Sequence, residues 1–226
     1  RNRTFYLGHL EALRRYYDAQ SYGRTVVEGD VWPRSEDKAY SVSDMADLGP
    51  WTYGDDLYPA AVHMFRTMFF AADSQSILLD DRIPWDSYDR FMIIHAGSDA
   101  QSDLLLDSPL DIPSFTVGLD DTDRVIFPDS LNRPIDRAAF VPETENQDGF
   151  YSALNGVIAH ENGHNLFGLS DVYDVASGYP VTGYWSLMDA GNLAGSLIEV
   201  PGGDIVFATG LLPPSIDPFQ RFFTTD

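Results

Sequence analysis

Two histidines four residues apart, with a glutamate directly after the first, constrain this chain more than any other stretch of it: His160-Glu161-Asn162-Gly163-His164. On an α-helix, residues i and i+4 lie one above the other on the same face, so both imidazoles project towards a shared point. Two such nitrogens can hold one Zn2+ at about 2.0–2.1 Å each. Glu161 sits beside the pair without being needed as a ligand. That leaves it able to act as general base towards a zinc-bound water, whose pKa the metal lowers from about 15.7 towards 7. The surroundings support a helix here. Leu154, Val157, Ile158 and Leu166 recur at helical spacing over 149–167, and Gly168 is placed to stop the run. The competing reading is a pair of surface histidines on an amphipathic helix, and the residues that follow the pair decide against it.

A catalytic zinc takes three protein ligands and keeps an open position. The chain has no cysteine, so disulfides and thiolate chemistry are excluded and any metal must rest on histidine and carboxylate ligands. His9 and His63 fall on predicted helices and read as structural. His95 ends a short apolar strand and reads first as a buried, hydrogen-bonded histidine, with catalysis the secondary reading. The segment after His164 runs Asn165-Leu166-Phe167-Gly168-Leu169-Ser170-Asp171. Gly168 lets the chain turn back, and Asp171 then returns an oxygen towards the metal. Asp174 and Glu199 are the reserve carboxylates, and Ser170 is a poor zinc ligand.

Charge narrows the partners. Lys plus Arg number 14 and Asp plus Glu 35, giving a net charge of −21, which repels nucleic acid and anionic membranes. The acids are 28 Asp against 7 Glu, and Asp is both a turn residue and a hard oxygen ligand. A solvated acidic surface and bound calcium are compatible readings of that excess. The Asp groups at 80–89, 99–111 and 120–123 are the calcium candidates, although none matches the spaced Asp-x-Asp-x-Asp-Gly loop. Hydrophobic residues, at 44%, suffice for a sizeable core in one domain or two packed lobes. No apolar run approaches the roughly 18 residues of a membrane span.

Along the chain, the pattern predicts a helix over 3–19, a strand over 24–31 and loop over 34–56, with turn signals at Gly49-Pro50 and Gly54-Asp55-Asp56. A second helix is expected over 57–72, a buried strand over 90–95, and a long loop over 98–123 with at most one strand near 114–117. A strand candidate at 124–127 and a loop over 128–148 lead to the helix at 149–167. Little regular structure is expected beyond it.

Several longer segments resemble one family. Gly168-Leu169-Ser170-Asp171-Val172-Tyr173-Asp174 is similar to the Gly-Leu-x-Asp-x-Tyr-Asp context of the immune inhibitor A family, secreted bacterial metalloproteases within the zincin group called metzincins. Tyr184-Trp185-Ser186-Leu187-Met188-Asp189-Ala190-Gly191 resembles that family's Met-turn. Tyr88-Asp89 followed by Phe91-Met92-Ile93-Ile94-His95-Ala96-Gly97 resembles its strand ending in His-Ala-Gly, and Tyr16-Tyr17 with Ser21-Tyr22-Gly23 is similar to its opening segment. The likeness spans roughly 1–220 and is weakest over 98–148. One departure stands out: Gly168 and Asp171 each lie one residue further from His164 than the family spacing has them.

The resemblance implies an α+β, metzincin-like two-lobed catalytic domain with a small twisted sheet, an active-site helix and a Met-turn. Its N-terminal lobe would be 1–167, its C-terminal lobe 168–226, and its cleft would take a protein or peptide substrate. It implies zinc on His160, His164 and Asp171, Glu161 as general base, Met188 as a floor beneath the metal, and Tyr173 or Tyr184 as oxyanion or substrate contacts. Structural calcium and an extracellular location are further implications. The run Pro213-Pro214-Ser215-Ile216-Asp217-Pro218-Phe219 resembles the point where family chains continue, so a catalytic-domain portion of a longer protein is expected. The rival readings are a non-catalytic metal-binding or adhesion module that retains the fold, and a zinc hydrolase of a non-peptide bond. Oligomeric state is not legible.

Overall fold

The computed structural model describes residues 1–42, 57–127 and 133–223. Its centre is a three-stranded sheet of β1 (Phe91–His95), β2 (Phe115–Gly118) and β3 (Arg137–Pro142), in the order β1-β3-β2. β3 runs parallel to β1, with Phe91 opposite Ala138, and antiparallel to β2, with Phe115 opposite Phe140. Flanked on both sides, β3 is fully buried from Ala138 to Val141. Its side chains alternate between two cores, as the period-two geometry of a strand requires. Ala138 and Phe140 enter a core built with Met64, Phe65 and Phe69 of helix α2 (Leu57–Leu78), while Val141 faces a second core with Val157, Ile158 and Met188.

That second core is formed by helices α1 (Arg3–Gln20) and α3 (Asn155–Phe167), the latter carrying His160, Glu161 and His164. The Asn2 side chain caps α1 by accepting the Phe5 N–H, satisfying a donor that the first helical turn leaves open. Tyr17, buried in the interface, donates its hydroxyl to the Ala159 carbonyl at 2.6 Å. α3 therefore lies between the sheet and α1, with nine of its thirteen residues buried, so its functional side chains start from a rigid backbone.

A second sheet closes the far end of α3. It contains β4 (Tyr151–Ser152), β5 (Ser196–Glu199) and β6 (Ile205–Thr209) in the order β4-β6-β5, β4 parallel and β5 antiparallel to β6. The Gly156 N–H donates to the Gly210 carbonyl at 2.8 Å, and a Cβ on Gly156 would fall 1.8 Å from the Asn192 carbonyl oxygen. Only glycine permits that approach. A short helix α4 (Pro218–Phe223) follows. No helix among the described residues is long and apolar enough to cross a membrane.

The α+β class and the two long N-terminal helices are as expected, and several finer expectations need correcting. Residues 24–31 form no strand, since they find no ladder partner; the Arg3 guanidinium instead bonds the Val31 carbonyl and the Asp30 carboxylate. α2 continues six residues past 72, to Leu78, with the Ser74 and Ser76 hydroxyls donating to the Phe70 and Asp73 carbonyls of the same helix. The 124–127 candidate reduces to one bridge between Val125 and Ile135, whereas the expected 128–148 loop contains β3. α3 starts at Asn155, since Asp148 and Gly149 take left-handed backbone (φ 56° and 81°) and residues 151–152 join a sheet. The β5–β6 hairpin and α4 supply regular structure beyond 168 where little was expected. The turn signals at Gly49-Pro50 and Gly54-Asp56 lie outside the described residues.

Candidate metal centre

α3 ends where its sequence says it should. Gly168 adopts left-handed backbone (φ 65°), its N–H bonds the His164 carbonyl, and Leu169 N–H reaches back to the Gly163 carbonyl. Two cations add donors at this terminus: Arg90 Nε donates to Asn165 O at 3.0 Å, and Arg137 Nη1 gives His164 O a second donor at 3.2 Å. The turn carries the chain back along the helix. Asp171 Oδ1 comes to 3.1 Å from His160 Nε2 and 3.2 Å from His164 Nε2, while the two Nε2 atoms are themselves 3.2 Å apart.

The other ring nitrogens fix what that triangle means. His160 Nδ1 lies 2.9 Å from the Leu187 carbonyl and His164 Nδ1 2.5 Å from the Leu169 carbonyl. A carbonyl only accepts, so each Nδ1 carries a hydrogen, and in a neutral imidazole Nε2 then presents a lone pair. Two nitrogen lone pairs and a carboxylate oxygen thus converge on one point. Asp171 Oδ1 is buried there with no well-formed hydrogen bond. Three electron-rich atoms at this separation repel unless a positive charge lies among them. A cation bonded at about 2.0–2.1 Å with tetrahedral angles needs ligand atoms roughly 3.3–3.4 Å apart, close to the spacing found. Histidine nitrogens with a carboxylate oxygen are also a donor set suited to zinc. The residues therefore fit the ion. Burial works against charge on His160, yet Asp171 outweighs it and the pKa is raised. Burial likewise opposes charge on Asp171, but its two imidazole neighbours hold the carboxyl well below the ordinary range.

Glu161 is 5% exposed, and burial pushes its pKa up against the pull of the two histidines. Thr116 of β2 contacts it, with Oγ1 3.0 Å from Glu161 Oε2 and 2.8 Å from the Glu161 carbonyl. The sequence offered no signal for Thr116.

Met188 is fully buried against α3, its Sδ 2.7 Å from where a Cβ on Gly163 would stand. Its carbonyl accepts the Val172 N–H at 2.8 Å, which ties this turn to the segment bearing Asp171. Asp189 holds the preceding loop by accepting the N–H groups of Val181, Thr182 and Gly183. The Tyr173 ring is roughly parallel to that of His160, centroids 6.4 Å apart. Tyr184 is exposed on the loop that Asp189 braces.

The reserve carboxylates lie elsewhere. Asp174 is exposed and bonded to Ser177 and Ala176, and Glu199 is exposed on β5. His95 is buried at the end of β1, its Nδ1 3.1 Å from the Ala96 carbonyl, and is not part of the triangle. Burial lowers its pKa against the opposing field of Asp99, Asp111 and Glu143. Among the described residues the acidic runs yield one further cluster, Asp103, Asp107 and Asp148. Both Asp103 oxygens and Asp148 Oδ2 already accept backbone N–H groups, so this loop is accounted for by turn chemistry, and the calcium expectation gains no support.

The family model described as immune inhibitor A peptidase M6, catalytic domain, matches residues 141–206, which include the helix, Asp171 and Met188. Immune inhibitor A of Bacillus thuringiensis subsp. alesti is 29% identical across 236 residues, covering 95% of this chain. The resemblance to the immune inhibitor A family is thereby borne out. The chain spans about a third of that relative's length (32%), so the likeness to immune inhibitor A concerns one portion of the larger protein.

Proposed function

We propose that the chain is a zinc-dependent endopeptidase acting on proteins or peptides outside the cell. The observation that carries the reading is the convergence of His160 Nε2, His164 Nε2 and Asp171 Oδ1 within 3.2 Å of one another, beside a buried glutamate that takes no part in the triangle. The likeness to a peptidase catalytic domain supports it, as does the secreted character implied by the resemblance. His160, His164 and Asp171 would hold the metal. When bound, zinc supplies Lewis acidity that polarises a peptide carbonyl and acidifies a water. Glu161 removes a proton from that water and delivers it to the departing amine nitrogen. Met188 packs beneath the metal-holding face of α3 as a floor, in the manner of a Met-turn, and the cleft lies between the lobes 1–167 and 168–226. Tyr173 is the better placed of the two tyrosines to donate to a developing oxyanion, since it neighbours His160. The carboxylate ligand and intact Glu161 favour this reading over an inert adhesion module.

The test is casein digestion by Glu161→Gln alongside the unaltered chain, with zinc measured in both. The variant should keep about one zinc per chain and lose activity by roughly 10²–10⁴-fold, the usual contribution of a positioned general base. Chelation should abolish the activity of the unaltered chain, and added zinc should restore it. Full activity in the zinc-loaded variant would refute the mechanism.

A further inference from the structure

Glu161 has three rotatable side-chain bonds, and a general base works only while one carboxylate oxygen stays within hydrogen-bond reach of the proton it takes. Something must hold the carboxylate. The two histidines do not, because their Nδ1 atoms face carbonyls and their Nε2 atoms face Asp171. Thr116 is placed to do so. Its backbone is pinned by the β2–β3 ladder, opposite Ala139, so the hydroxyl starts from a fixed strand. As a β-branched residue it also has few χ1 choices. Its Oγ1 stands 3.0 Å from Glu161 Oε2 and 2.8 Å from the carbonyl of the same residue. A hydroxyl has a single proton and rotates. Towards an ionised carboxylate it makes the stronger, charge-assisted bond, and the neighbouring carbonyl offers the alternative acceptor. With Oε2 engaged by Thr116, Oε1 is the oxygen left to act as base.

We propose that Thr116 is a positioning residue for Glu161: its hydroxyl selects the carboxylate rotamer that serves as general base, and so couples the edge strand β2 to the chemistry on α3. This rests on the endopeptidase reading above. Thr116→Val keeps the shape and removes the hydroxyl, whereas Thr116→Ser keeps the hydroxyl and removes the methyl. In the zinc-loaded chain, Thr116→Val should lower kcat by about 10- to 100-fold with KM changed less than about threefold, while Thr116→Ser stays within about threefold of the unaltered chain. The second readout needs neither zinc nor activity. With glutamate labelled by 13C at Cδ, the chain gives seven signals, and that of Glu161 is the one lost in Glu161→Gln. It should move in Thr116→Val and return in Thr116→Ser. A signal that stays in place in Thr116→Val, an unchanged kcat, or equal losses in both variants would overturn the proposal. Full activity in Glu161→Gln would instead overturn the endopeptidase reading, and the carboxylate signal would still decide the Thr116 contact.

Discussion

Glu145 shows how one side chain acquires unusual acidity from its place in the fold. It is 8% exposed, accepts a hydrogen bond from Ser152, and lies in the field of buried Asp99. Burial first, and Asp99 second, push its pKa from 4.5 up to about 8. The folded chain therefore prefers the neutral acid. The stability this contributes is complete below pH about 4.5 and is lost as pH rises through about 8. Glu145→Gln removes the titration and keeps an oxygen for Ser152. Urea unfolding at pH 5, 7 and 9 should show the variant gaining on the unaltered chain as pH rises, reaching roughly 2–5 kcal/mol by pH 9. A difference that does not vary with pH would contradict this. Residue-level legibility follows the same divide between local and non-local. His160 and His164 are readable because one turn of helix brings them together. Asp171 is readable as a candidate because a glycine announces the turn that returns it. Thr116 and Glu145 owe their roles to neighbours brought close by the fold, Glu161 and Asp99, and no spacing rule links them.

Among the elements, α3 was the most legible and its N-terminus the least. The helical period of its apolar residues runs on into 149–154, but the second sheet claims that stretch, and the chain enters the helix only after Ser152 has paired with Thr209. β3 escaped notice because Arg137-Ala138-Ala139-Phe140-Val141-Pro142 has small residues where strands usually carry branched ones, although burial on both faces accommodates them. The junction of α3 with the second sheet is also where a small change should hurt most. Gly156→Ala adds a methyl that must displace the Asn192 backbone, against which the ordinary helical gain of alanine over glycine is small. We expect a loss of about 3 kcal/mol. Thermal unfolding measures it directly, and a variant as stable as its parent would show that the 190–194 turn yields easily.

For the whole molecule, the candidate metal triangle is a link between regions as well as a site. Two of its members belong to α3, which the sheet and α1 enclose, and the third lies on the segment after Gly168. A ligand that binds only the folded state stabilises by about 4 kcal/mol at a thousand times its Kd. A domain of this size gains roughly 2–4 °C per kcal/mol. Removing zinc with a chelator should therefore lower Tm by about 10 °C, and Asp171→Asn should shrink that difference by at least half. Equal melting with and without the chelator would mean that the triangle holds no metal in solution. The mixed α+β class and a sizeable apolar core were legible from composition and pattern. The division of the core by β3 was not, because it depends on which strand lies in the middle.

The short helix α4 has a consequence of another kind. Arg221 donates to the carbonyl and side-chain oxygens of Gln20 at the end of α1, Gln220 bonds the Ser170 backbone next to Asp171, and Asp217 accepts from Ser186 in the turn before Met188. One short stretch, 217–221, thus ties together the end of α1, the backbone beside Asp171 and the turn before Met188. During synthesis both histidines and Asp171 emerge well before it. Until 217–221 dock, the Ser170 backbone beside Asp171 and the Ser186 hydroxyl before Met188 lack the partners they have in the folded chain.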